Sequence, residues 1–135
     1  MKFSEWNEAD WLSLQLYFDT CILPITALSG LEAPWQMKHA LERLRDALDT
    51  VEVPFKGRTV TMPAVQYRIA DEHLFVQQIA GIASNCKASG FKYVIAISAA
   101  NELLNLSIPN VDLLLVNPDK STSLKLVGEL WQKQD

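Results

Sequence analysis

Lys92-Tyr93-Val94-Ile95-Ala96-Ile97 is a nearly continuous apolar run, and Asp112-Leu113-Leu114-Leu115-Val116-Asn117 is a second. Gly90 precedes the first and Pro118 closes the second. Neither alternates apolar with polar residues, as a half-solvated strand does. Runs of this kind suit parallel strands covered by helices on both faces. Both fall far short of the roughly 20 residues that span a bilayer, so no membrane insertion is expected.

The flanking segments read as helices. Upstream, Asp71 can cap a helix whose stripe is Phe75, Ile79, Ile82, Ala83 and Cys86, with Gly90 at the left-handed position past its end. Downstream, a last helix from about Ser121 to Gln132 should bury Leu124, Val127, Leu130 and Trp131. A short helical segment is expected between the two strands, from about Ala100 to Leu106.

The same alternation continues toward the N-terminus. Thr59-Val60-Thr61-Met62 reads as a strand closed by Pro63. Before it, Met37, Ala40, Leu41, Leu44, Leu48 and Val51 form a helical stripe, with Pro34 near the first turn. Cys21-Ile22-Leu23-Pro24-Ile25 reads as a strand in which Pro24 argues for an edge position or for the strand's last residues. A first helix from about Asn7 to Tyr17 should pack by the face bearing Trp11, Leu12, Gln15 and Leu16.

Strands alternating with helices imply right-handed crossovers. The expected fold is a single α/β domain over residues 1–135, a three-layer α/β/α sandwich of Rossmann-like type. Its mostly parallel sheet should have about four strands. The order expected across it is the Thr59 strand, the Cys21 strand, the Lys92 strand, then the Asp112 strand.

The chain has 135 residues, enough to hold a core without disulfide or metal support. It is 49% hydrophobic and 21% charged, with a formal net charge of −4. Nucleic acid repels such a surface unless a basic stripe is concentrated somewhere, and Arg43 and Arg45 lie among Glu42, Asp46 and Asp49. Acidic and polar residues occupy Met1 to Glu8 where a secretory leader needs an apolar run. Cys21 and Cys86 have no C-x-x-C spacing. They read as reduced, buried thiols of a cytoplasmic protein, with a disulfide or redox pair as the alternative.

Open parallel sheets bind ligands outside the carboxyl ends of their strands. That rule nominates four loops: Thr26 to Trp35, Pro63 to Asp71, Ser98 to Asn105 and Asn117 to Ser123. The residues singled out there are Ser29, Glu32, Tyr67, Ser98, Asn101, Glu102, Asn117 and Lys120. In an enzyme, Glu102 or Glu32 would be the acid/base and Lys120 the anion contact.

Each has a plainer reading. Ser29 and Glu32 fit an S-x-x-E capping box, and Ser98 fits a helix cap. Lys120-Ser121-Thr122 looks like the end of a phosphate-binding loop but lacks the preceding glycines, so a turn and helix cap explains it as well. His39 and His73 lack metal-ligand partners at helical spacing. No G-x-S-x-G elbow and no G-x-G-x-x-G loop is present. Cys86 lies on an apolar stripe and should be buried, with a raised pKa. No metal and no cofactor is expected.

Tyr17-Phe18-Asp19-Thr20-Cys21-Ile22-Leu23-Pro24-Ile25, with Phe55-Lys56-Gly57-Arg58 before a strand and Pro63 after it, resembles a family of short bacterial proteins. It is the one catalogued as domain of unknown function 2487, from Gram-positive spore-formers. The resemblance covers most of the chain and implies no activity.

A more distant likeness is to creatininase-like amidohydrolases. Leu23-Pro24, then Gly90-Phe91 and the strand to Ile97, follow their plan. Ser29-Gly30-Leu31 and Ser98-Ala99-Ala100-Asn101 stand where that family has its metal segment and histidine loop, so no catalytic residue carries over.

The sequence leads to a non-enzymatic role through a protein partner or self-association as a homodimer. The alternative is a small-molecule-binding protein or degenerate hydrolase using the strand-end loops.

Overall fold

A computed structural model describes residues 1–133. The strands are β1 (Thr20–Leu28), β2 (Thr59–Thr61), β3 (Val65–Tyr67), β4 (Tyr93–Ser98) and β5 (Leu113–Val116). The helices are α1 (Glu8–Leu14), α2 (Pro34–Glu52), α3 (Glu72–Ala88) and α4 (Lys120–Lys133). The sheet runs β2-β1-β4-β5 with every pairing parallel. That is the order expected from the sequence. The additional strand, β3, continues past β2 along the same side of β1, because Ile25 pairs with Ser98 on its other side.

Two sides of the sheet are covered. Leu23, Ile25 and Ala27 pack with Phe75 and Ile79 of α3 and with Leu103 and Ile108. Ile22, Ile95, Ile97 and Leu115 pack with Ala47 and Val51 of α2 and Val127 of α4. Each buried aliphatic side chain contributes roughly 1.5–3 kcal/mol, so these two layers hold the sandwich together. A third cluster joins Cys21, Val60 and Val94 to Ala83, Phe91, Trp6 and Trp11.

The caps follow local chemistry. Asn7 and Asp71 each accept a backbone N–H three residues on, at 2.8 and 3.1 Å. Gly90 (φ +121°) ends α3 in a Schellman arrangement: Phe91 N–H donates to Cys86 and Gly90 N–H to Lys87.

Several expectations change. Pro24 lies in the central strand, not at an edge. The Ile22 carbonyl accepts from Met62 on the β2 side, and alternation points the Pro24 nitrogen the same way. There β2 has ended at Thr61 and β3 has not begun, so no ladder bond is lost.

α1 is short and gives way to a 3₁₀ turn over Gln15–Tyr17. It anchors by Trp11, edge-on to Trp6 at 5.2 Å and tilted on Phe91 at 5.6 Å, while Leu12 and Leu16 are exposed. In α4, Leu124 is exposed and Ser123 takes the buried place, because its hydroxyl bonds Thr50 of α2 at 2.7 Å. The helical segment after β4 is a single 3₁₀ turn, Asn101–Leu103. Cys86 is only half-buried, and both thiols are free. It is the Cys21 thiol that is pushed up, by burial first and by the neighbouring Cys86 thiol second.

Candidate functional site

α2 leaves β1 toward one face of the sheet, and the segment after β4 folds onto the other. The carboxyl ends of β1 and β4 therefore mark the point where the topology switches, the place at which open α/β sheets bind ligands. β1 reaches it through a bulge. From Ile25 to Leu28 it advances three residues while β3 advances two, Val65 to Tyr67. Ala27 absorbs the extra residue at φ +63°, a conformation costing roughly 1–2 kcal/mol for a residue with a Cβ. Beside the bulge, the Thr26 hydroxyl donates to Gln66 at 2.6 Å.

The nominated residues divide into local groups. The Glu32 carboxylate accepts from the Ser29 amide (2.9 Å), the Gly30 amide (2.9 Å) and the Ser29 hydroxyl (3.0 Å). This closes the loop ahead of α2 and does not cap the helix. Ala33 is the N-cap, and its N–H donates to Gln36 at 2.8 Å. The Ser29 amide above all, then the other donors, lowers the Glu32 pKa to about 2.

Ser98 is fully buried, and its hydroxyl accepts the Ala100 amide at 3.1 Å, making a turn. Asn117, at φ +47°, donates to the Ala99 carbonyl at 3.1 Å and in a short bond to Asn101. Asn101 and Asn117 thus tie the loop after β4 to the loop after β5. Lys120 is exposed on the first turn of α4 and forms no ion pair among the described residues. Asp119 caps that helix, accepting from Thr122 at 2.7 Å and from Ser121 at 3.1 Å. The Thr122 amide first, with both hydroxyls, holds the Asp119 carboxyl below its ordinary value.

The sequence reading passed over Arg68. Its N–H extends the sheet to the Leu28 carbonyl at 2.8 Å. Its guanidinium lies 3.8 Å from Glu102, beyond hydrogen-bond reach, and its buried Nε has no partner among the described residues. Exposed apolar side chains stand at the same end: Leu31 (92% exposed), Trp35 (64%), Tyr67 (59%), Ile69 and Leu104. A cavity of about 240 Å³ reaches Asn117, but its other walls are Arg43, Asp46, Ala47 and Pro118. Among the described residues, no three His, Cys, Asp or Glu side chains group as metal ligands would. No helix described is long and apolar enough to cross a membrane.

At the opposite end of the sheet, the two sequence words that carry the family resemblance meet. Arg58 donates to both Asp19 oxygens, at 2.9 and 3.1 Å. Its guanidinium stacks 4.0 Å over the Trp131 ring, which Phe55 meets edge-on at 4.8 Å. The Trp131 indole donates to the Thr20 hydroxyl at 3.0 Å, and that hydroxyl donates to Asp19 at 3.0 Å. The network fixes the starts of β1 and β2 against α4. It is the common ground of Asp19-Thr20 and Phe55-Lys56-Gly57-Arg58.

Comparison with known proteins agrees with those words. The family described as protein of unknown function (DUF2487) matches residues 9–113. No curated protein and no solved structure matched the chain. The likeness to creatininase-like amidohydrolases has no counterpart in these matches. With most of its length matched, the chain belongs to the DUF2487 family.

Proposed function

We propose that the protein is a non-enzymatic interaction module of the cytoplasm, docking a protein partner on the rim at the carboxyl end of its sheet. The observation that carries this is the composition of the rim. Leu31, Trp35, Tyr67, Ile69 and Leu104 are exposed around a guanidinium that Glu102 approaches to 3.8 Å without a hydrogen bond. Tryptophan, tyrosine and arginine are the side chains that most often anchor interfaces.

The polar groups at that end bond mostly to one another. A carboxyl at about 2, as in Glu32, is a poor proton donor near neutral pH. These features weigh against the small-molecule or hydrolase alternative.

The test compares Leu31→Ser/Trp35→Ser and Arg68→Ala with a control, Leu16→Ser, whose side chain is 90% exposed and remote from the rim. Proximity cross-linking in cells, with circular dichroism to confirm folding, should show one cross-linked species lost in both rim variants and kept in the control. Equal cross-linking in all variants overturns the reading. A cross-linked species with twice the chain's mass would make the partner a second copy.

A further inference from the structure

A separate surface runs along α2. Leu41, Leu44 and Leu48 repeat at i, i+3 and i+7, and with Val53 they floor an open cavity of about 480 Å³. The trough continues into a second cavity of about 190 Å³ that shares Lys2, Leu44, Leu48 and Glu52 and ends at Pro63 and Ala64 beyond β2. Leu41 and Val53 are 43% and 67% exposed and Leu48 is half-buried, so the floor is open at these three, while Leu44 is buried beneath them.

The rim is unlike the rest of the molecule. Lys2, Arg45 and Lys56 stand along it, whereas the whole chain has a net charge of −4. Among the described residues, Lys2 and Lys56 have no carboxylate within ion-pair distance, and Arg45 reaches only Asp46 at 4.0 Å. Of the two acidic residues lining the trough, Glu52 already accepts the Thr61 hydroxyl at 3.0 Å. Glu52 keeps its charge in that bond, so the lining carries three cations against two carboxylates.

An apolar strip lined by more cations than carboxylates, with Lys2 and Lys56 outside any ion pair among the described residues, complements an amphipathic helix with acidic residues beside its apolar stripe. We propose that the α2 trough binds such a helix of a partner protein, with its leucine-like side chains on Leu41, Leu48 and Val53 and its carboxylates on Lys2, Arg45 and Lys56. This surface lies away from the carboxyl-end rim, so either proposal can fail without the other.

The probe is a synthetic amphipathic leucine/glutamate helix, with a leucine/lysine helix of the same pattern and a scrambled leucine/glutamate peptide as controls. Titration into the full chain is followed by amide shifts and fluorescence anisotropy. The leucine/glutamate helix should move amides from Leu41 to Lys56, and its affinity should fall as salt is raised. Arg45→Glu/Lys56→Glu, both at the surface, should weaken it at least tenfold with the fold unchanged.

Equal binding of the leucine/lysine or scrambled peptide overturns the proposal, as does indifference to the charge reversal. Shifts confined to the carboxyl-end rim overturn it too. Concentration-dependent shifts along α2 without any peptide would assign the trough to a second copy of this chain and overturn the partner helix.

Discussion

Glu32 carries a charge that its own loop holds in place. The Ser29 amide, with the donors around it, brings its pKa to about 2 from an ordinary 4.5. The folded-state value is the lower one, so this carboxylate supports the fold above about 4.5. The support fades as pH falls through about 2. Carbonyl NMR of the Glu32 side chain should titrate near 2. The acid-unfolding curves of wild type and Glu32→Gln should converge at the acid end, since only the wild type loses a charge there.

Arg58 makes a different case. It has two charge-assisted bonds to Asp19 and a stack on Trp131, so Arg58→Ala should cost roughly 2–3 kcal/mol in urea unfolding. Arg58→Lys should recover less than half of that, because an ammonium can neither fork across the carboxylate nor stack flat on the indole.

In α3, two glycines make opposite predictions. A Cβ at either Gly81 or Gly90 would meet nothing within 4 Å, so backbone conformation alone decides. Gly81 is inside the helix, and Gly81→Ala should stabilise by about 0.5–1 kcal/mol. Gly90 sits at φ +121°, and Gly90→Ala should destabilise by roughly 1–2 kcal/mol. Denaturant midpoints of the two variants check both signs.

Elements held by local chemistry could be read from the chain. Asn7, Asp71 and Gly90 act on neighbours a few residues away, and the runs before Ile97 and Asn117 are long enough to show their character. β3 could not be read. Val65–Tyr67 is too short for a period of two to register and exists because β1 outruns β2. α4 could be placed but not rotated, because the Ser123–Thr50 bond that turns Leu124 outward joins distant segments.

For the whole molecule, the parallel direction of the strands was legible because alternating strands and helices imply right-handed crossovers; their order across the sheet was not, since several windings satisfy that rule and no single residue chooses among them. The switch point between β1 and β4 follows from the order observed, and Asn101 and Asn117 fell within the loops nominated at the strands' carboxyl ends. Arg68 was hidden because its place at the carboxyl end of the sheet depends on β3. The Asp19–Arg58–Trp131 network was hidden because it joins three segments far apart in the chain.

Pro24 gives the sheet a seam. The central strand has no amide proton where β2 stops and β3 starts, so the ladder on that flank lacks a donor at this point. The flank is therefore expected to open in two steps. In deuterium oxide, the amides of β3 should exchange well before those of Ile95 to Ile97, which lie between two paired neighbours. Because β3 carries Tyr67 and leads into Arg68, the rim proposed for docking would loosen while the centre of the sheet stays closed. A partner that orders this flank would slow the same amides, so its arrival could be timed without labelling the partner.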